Sequence, residues 1–460
     1  MNSINLNIKW SKRKIITLST ISLIIIALII GFYRIVLFVN SWDNLIYKGV
    51  YIKNIDVSGM SKEKALMIIN LSYVDKVKDK DVNLNFQNLQ YYLKLKRLGL
   101  KSDVDAAVEN AFQYGKDFSL IGKLKAIIKP QRVDFDFQIK LDNSSLNSEL
   151  NDILKDIYKE PVNAQLKISG NNFTITPHED GRIVDKDELS RRITTYINDY
   201  KDEAINIEVP VKVVKPKIDD STLKQINGII SSFTTNLGNS TEGRIKNIEK
   251  GVSAVNGTIL LPGEVFSFND TVGDTSQERG FFPAPEIIHG KLEQGFGGGI
   301  CQVSSTLYGA ILRANIIPIQ RQHHSFPVNY ISPGLDATIV YGVVDFKFKN
   351  IYDFPIYIKG SVADQYVTFS IYSDVSALKG KTYQYYCTNK KIIPAKSIYV
   401  NDPTLWSGIY ETRVIPRDGI ICDIYRITYD KNGNILEDKF IYRDTYSPID
   451  EIVAVGTRKR

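Results

Sequence analysis

The stretch that decides how this chain is read is "GFGGGICQVSSTLYGAILRANI", residues 295–316. Gly297, Gly298 and Gly299 precede Ile300 and Cys301, and Val303, Leu307, Ala310, Ile311 and Ala314 then fall on one helical face. Glycines admit backbone angles that other residues avoid, and they let a ligand or another segment approach closely. A helix that starts at Cys301 or Gln302 puts the thiol at its positive end, where a thiolate is stabilised. Backbone N–H groups of that first turn can stabilise an oxyanion, and Gln302 can add a side-chain donor. Ser304, Ser305 and Thr306 read either as polar lining or as intrahelical hydroxyls.

A thiol nucleophile needs a base, and the base needs a group to orient it. "RQHHSFPVNYISPGLDAT", residues 321–338, supplies His323, His324 and Asp336. His324 is preferred over His323 because Ser325-Phe326-Pro327 locks the chain just after it. His289, before Gly290, is a third candidate. Arg321 is placed to pair with Asp336 or to bind a substrate carboxylate. Three readings of Cys301 stay open at this level: a nucleophile, a structural or ligand-binding thiol in a tight turn, or half of a disulfide.

The chain has 460 residues and a net charge of +7, from 58 basic and 51 acidic residues. That excess is spread thinly, with no basic cluster interleaved with aromatics, so a nucleic-acid partner is not expected. Cys301, Cys387 and Cys422 are an odd number, so one bridge among them leaves one thiol over. No cysteine or histidine pair has zinc-site spacing, and neither a metal nor a cofactor is expected.

Residues 1–14 are basic, and residues 15–39 are mostly apolar and carry no charge except Arg34. That run is long enough to cross a bilayer, and it lacks the Ala-x-Ala-like site of a cleaved signal peptide. Positive charge before it and little after it predict a cytoplasmic N-terminus, with the rest of the chain outside. Residues 45–218 alternate short strands and helices, as in "DVNLNFQNLQYYLKLKRLGL" (81–100) and "SDVDAAVENAFQYGK" (102–116), and show no catalytic constellation. Residues 219–362 are expected to form a mixed domain opened by a helix over 220–238, and 363–460 a β-rich tail with a hairpin turn at Lys431–Asn434. The expected fold class is therefore α+β: one N-terminal transmembrane helix, small sheet-plus-helix modules, a mixed α+β domain and a β-rich tail.

Five strings, "TEGRIKNIEKGVSAVNGTILLPGEVFSFNDTVG", "GFFPAPEI", "GGGICQVSSTLYGAIL", "RQHHSFPVNYISPGLDATIVYG" and "DFKFKN", closely resemble the VanW family of bacterial envelope proteins. The family positions they carry are Gly298, Gly299, Cys301, Gln302, Ser304, Ser305, Thr306, His324, Pro327, Gly334, Asp336 and Ala337. "VYIKNIDVSGMSKEKALMII", "LGLKSDVDAAVENAFQYGK" and "ISGNNFTITPHEDGRIVDKDEL" are similar to the peptidoglycan-binding modules found ahead of such domains. Residues 425–458 resemble a short G5-like ending. The Ser-His-Gly-Cys signature of L,D-transpeptidases is absent.

The resemblance implies a membrane-anchored extracellular protein that binds peptidoglycan or its stem peptides as an accessory to envelope maintenance. One alternative is a stem-peptide hydrolase or acyl transferase using Cys301 with His324, Asp336 and Gln302 or His323. In that reading Arg321, Ser304, Ser305, Thr306, Gly298 and Gly299 would hold the ligand. A second alternative is an envelope sensor or scaffold for a membrane partner. No particular protein partner is implied.

Overall fold

The computed structural model describes residues 11–170, 172–200, 203–288 and 291–459. These form two compact units, one built from the chain up to Pro161 with Asp180–Lys215, the other from Val162–Glu179 with Pro216 onward.

The first unit opens with the apolar helix Lys12–Asn40, of which Val39 alone is buried. By length and composition this helix can cross a membrane. Its lower end packs, through Val39 and Trp42, with Tyr47 and the helix Leu120–Ile128. Beyond it, Asp81–Phe86 pairs on one side with Leu89–Lys94 and on the other with Ile205–Glu208, and Val50–Ile52 pairs with Ile55–Asp56 and Val133–Phe135. The strict alternation of Val82, Leu84 and Phe86 buries one face of the central strand against helices Lys62–Ile69, Val104–Gln113 and Lys186–Asn198. Ser61 caps the first of these helices by accepting from the N–H of Lys64. The second is entered from Asp103.

The second unit carries a four-stranded antiparallel sheet in the order Gly228–Asn236, Tyr366–Ser373, Ile356–Ala363, Thr258–Leu260. The first of these strands corrects the helix expected over 220–238. Only Asp220–Lys224 is helical, and Ile229, Ile230, Thr234 and Thr235 supply the β-branched run that suits an extended chain. Helices Glu242–Val255 and Ile300–Arg313 cover this sheet. Gly309 lets the second of them settle onto Phe233, where a Cβ would overlap the ring. Gly251 gives the two helices a close crossing at Ile300 and Val303.

Hairpin Gln165–Ser169/Asn172–Thr176 belongs to this second unit. There Leu166 and Ile168 share a small core with Leu223, Ile226, Tyr357 and Tyr372. The tail forms two three-stranded sheets, one of Thr382–Ile393, Gly419–Tyr429 and Ile435–Tyr446, the other of Ser397–Trp406, Glu451–Arg458 and Tyr410–Val414. Tyr385, Cys422, Ile424 and Tyr446 join the same core as the Ile300–Arg313 helix, so the first tail sheet is continuous with the domain that holds Cys301. The mixed helix-and-sheet architecture with a β-rich C-terminal region is as the sequence led us to expect.

Candidate active site around Cys301

Between Ile300 and Leu312 every residue is buried except Cys301, which is partly exposed. At the other end of the helix Arg313 is also partly exposed, so the thiol is the reactive side chain this element presents at its first turn. Gly299, with φ of 109°, forms the N-cap, and the buried Asn247 holds the turn by donating to the carbonyls of Phe282 and Gly298. The N–H of Ile300 is taken by Gly297 and that of Gln302 by Gly299. The N–H of Cys301 between them has no partner among the described residues.

Three groups surround the thiol. His324 is hydrogen-bonded to it, the Thr338 hydroxyl lies at 3.6 Å, and the Ile339 carbonyl at 3.7 Å. Burial works against a thiolate here, but the hydrogen bond and positive charge of His324 outweigh it, and the thiol is held below its ordinary value. For His324, burial favours the neutral ring, yet its bonds to Asp336 and Cys301 raise it from 6.5 to about 9. Both shifts favour a thiolate–imidazolium pair at neutral pH.

Asp336 fixes that imidazole. One carboxylate oxygen accepts from the backbone N–H of His324 at 2.8 Å and faces its Nδ1 at 2.5 Å. With Nδ1–H donated to Asp336, Nε2 is left for the other side, where the Tyr330 hydroxyl stands at 3.5 Å. The second carboxylate oxygen accepts from Tyr446 at 2.5 Å and from Arg321 at 3.4 Å. Burial alone would raise the Asp336 pKa, but His324 and Arg321 together bring it down to about 2. The carboxylate thus stays charged while almost wholly removed from water.

The other residues singled out from the sequence brace this arrangement. Arg321 donates to the carbonyls of Asp336 and Gly334 and, at 2.7 Å, to Asp444, between the rings of Tyr308 and Tyr442. Ser304 and Ser305 donate to the Ala337 carbonyl, and Ser305 also accepts from the Ala337 N–H, stapling the Asp336 segment to the cysteine helix. Thr306 bonds Thr235 and the Gln302 carbonyl. The Gln302 amide donates to Thr235 and Asn236, so it faces the sheet rather than the thiol. The His323 ring packs against Tyr446 and contacts the carbonyl of His324 through Nδ1. The space beside Gly298 is filled by Pro285 and Ala284, and that beside Gly299 by Ile248 and Arg244. His289 lies outside the described residues. Among the described residues no group of His, Cys, Asp and Glu side chains is arranged to hold a metal.

Sequence reasoning missed Asn247, Arg244, Tyr308 and Tyr330, and above all Tyr442, Asp444 and Tyr446 of the tail. Tyr446 both donates to Asp336 and accepts from the Gly334 N–H at 2.6 Å, while Tyr442 donates to the Gly334 carbonyl. Tyr330 stands inside the same string as His324 and could have been marked from its place there. Nothing local marks the tail residues.

Comparison with known proteins places names on these segments. A family model described as "VanW like protein" matches residues 243–372, one described as "Putative peptidoglycan binding domain" matches 91–205, and the G5 domain model matches 387–458. The G5 match thus begins well before residue 425, taking in most of both tail sheets. The chain is 35% identical over 218 residues to the Bacillus subtilis protein YoaR, covering 47% of this chain and 70% of that one. It is 30% identical over 138 residues to the Enterococcus faecalis vancomycin B-type resistance protein VanW, covering 29% of this chain and 50% of that one. Among solved structures, the G5 domain of IgA1 protease is 20% identical with a TM-score of 0.15, covering 17% of this chain and 92% of its own. HP0197-G5 is 14% identical with a TM-score of 0.12, covering 16% and 97%. The peptidoglycan-binding and G5 modules fit a protein associated with the cell wall. Cys301, His324, Asp336, Arg321 and Tyr330 all fall within the VanW match, and the chain belongs to the VanW family.

Proposed function

We propose that this protein is anchored in the cell membrane by Lys12–Asn40, faces the wall, and performs cysteine-dependent acyl chemistry on peptidoglycan stem peptides. The peptidoglycan-binding and G5 modules would supply the grip on the wall. The observation that carries the reading is the linked set of Cys301, His324 and Asp336, with Cys301 partly exposed at the start of a helix otherwise buried through Leu312. A structural thiol has no need of a base held by a buried, fully hydrogen-bonded carboxylate. This favours turnover over wall binding alone, and over a scaffold.

In the proposed reaction the Cys301 thiolate adds to a scissile amide carbonyl, and the oxyanion takes the N–H of Cys301. The imidazolium of His324 gives its Nε2 proton to the leaving amine as the C–N bond breaks, leaving a thioester on Cys301. Neutral His324 then takes a proton from water or from an acceptor amine, which attacks the thioester, releases the thiol and completes hydrolysis or transfer. Asp336 keeps the ring in one tautomer throughout.

The test is a mass-spectrometric profile of peptidoglycan fragments after incubation with the full-length protein in detergent, beside Cys301→Ala, under reducing conditions. Species that appear or vanish only with the thiol present would establish the activity and identify the bond. Identical profiles across several wall chemistries would refute it and return the protein to the wall-binding reading.

A further inference from the structure

Arg321, the arginine that the sequence offered for a substrate carboxylate, is fully occupied. Another arginine is not. Arg244, on the first turn of helix Glu242–Val255, lays its stem against Gly299 and donates to the Gln302 side chain at 2.8 Å and to the Ser240 hydroxyl at 2.6 Å. Both partners are neutral. Among the described residues it has no carboxylate, and the ionisable groups that bear on its charge are Tyr330 and Cys301. It is only partly buried, and the two residues it touches, Gly299 and Gln302, flank the start of the helix that carries Cys301.

The charges of the site can be paired off. Arg321 is matched by Asp444 and His324 by Asp336, at 2.7 Å and 2.5 Å. What remains is Arg244 with the Cys301 thiolate. When the thiolate adds to a carbonyl its charge passes to the oxyanion, and once the amine has left with the His324 proton the thioester is neutral and Arg244 is a half-buried cation without an anion. A desolvated cation in that position is costly unless something replaces the lost charge. The replacement has to come from the substrate, and a planar guanidinium fits a carboxylate.

We propose that Arg244 is the carboxylate-binding residue of this site, selecting peptides that carry a free carboxylate beside the scissile amide; this rests on the acyl-transfer reading above. The carboxylate can be a chain terminus or an acidic side chain.

The first test does not need turnover. Iodoacetate and iodoacetamide alkylate the same thiolate but differ in charge, so their rate ratio at Cys301, read by peptide mass spectrometry, reports a nearby cation. Arg244→Gln is expected to lower the iodoacetate-to-iodoacetamide ratio roughly tenfold, the effect of one unit charge at a partly screened distance, with the iodoacetamide rate little changed. An unchanged ratio in a folded variant overturns the proposal. If Arg244→Gln does not fold, the wild-type protein decides. His324 contributes positive charge only below about 9, whereas a guanidinium persists, so a preference for iodoacetate that vanishes at about pH 10 also overturns it.

The second test compares stem-peptide fragments bearing free carboxylates with the same fragments amidated at the C-terminus or at the acidic side chain. Loss of turnover on one amidation identifies the source of the carboxylate. Normal turnover on both overturns the proposal, and absence of turnover on every peptide refutes the acyl-transfer reading while the alkylation ratio still decides the role of Arg244.

Discussion

Asp336→Asn removes one charge and almost no volume, and the structure allows its effect on Cys301 to be worked through. Asp336 is the leading cause that lifts the His324 pKa from 6.5 to about 9 against the opposing effect of burial. Without the carboxylate, the imidazolium falls back to its ordinary range or below, a loss of roughly 3 kcal/mol of stabilisation at about 1.4 kcal/mol per pH unit. The neutral ring no longer holds the thiolate, and only the smaller effects of Ile339 and Thr338 then oppose burial at the thiol. An ordinary thiol is about one-tenth ionised at pH 7.5, so Cys301 in the variant is expected to react with iodoacetamide at least about tenfold more slowly than in the wild type. The measurement is peptide-resolved mass spectrometry of alkylation from about pH 5.5 to about pH 9.5, with Cys387 as an internal comparison. The wild type should label readily through the neutral range, and the variant should show a rate that climbs steeply toward alkaline pH. Arg321 keeps Asp444, so the fold should persist and circular dichroism should confirm it. A folded Asp336→Asn protein with the wild-type rate and pH midpoint would refute the assignment of Asp336 as the group that sets the charge of the pair.

Three further outcomes follow from particular contacts. Tyr446→Phe leaves the buried Gly334 N–H without its acceptor and removes one of the donors to Asp336, and should cost about 1–3 kcal/mol in urea unfolding; an unchanged midpoint would show that the tail does not brace the site. Gly309→Ala drives a methyl into Phe233 and should destabilise by about 1–3 kcal/mol, while the exposed Gly342→Ala, strained only by its φ of 73°, should cost less; equal losses would contradict the packing described. Asp336, lowered to about 2 in the folded protein, stabilises the fold in full above its ordinary value of 3.8 and loses that contribution as pH falls toward 2. The stability gap between wild type and Asp336→Asn should therefore narrow between those pH values, and a gap independent of pH would overturn the assignment.

Much of this site was legible in the sequence because its parts obey local rules. Glycines followed by an apolar 3.6-residue period announce a helix with Cys301 at its start, and the Pro327 and Gly334 turns keep His324 and Asp336 within one short excursion of chain. The apolar run before Asn40, the alternation of Asp81–Phe86 and the hairpin turn near Gly433 are read by the same means. Periodicity is silent on which neighbours a segment meets. The apolar residues of 228–236 suit helix or strand alike, and it is pairing with Tyr366–Ser373 that makes them a strand. Ser304 and Ser305 could have faced a ligand; packing turns them onto the backbone beside Asp336. Arg321 and Arg244 are equivalent as letters, yet one is consumed by Asp336 and Asp444 and the other is left with the neutral side chains of Ser240 and Gln302. Tyr442, Asp444 and Tyr446 lie more than a hundred residues from Asp336, and only the docking of the tail sheet on the domain core brings them to it. Backbone propensity and local turn chemistry act over a few residues and are written in order along the chain. The charge state of Cys301 depends on distances across the fold, and those exist only once the chain has closed.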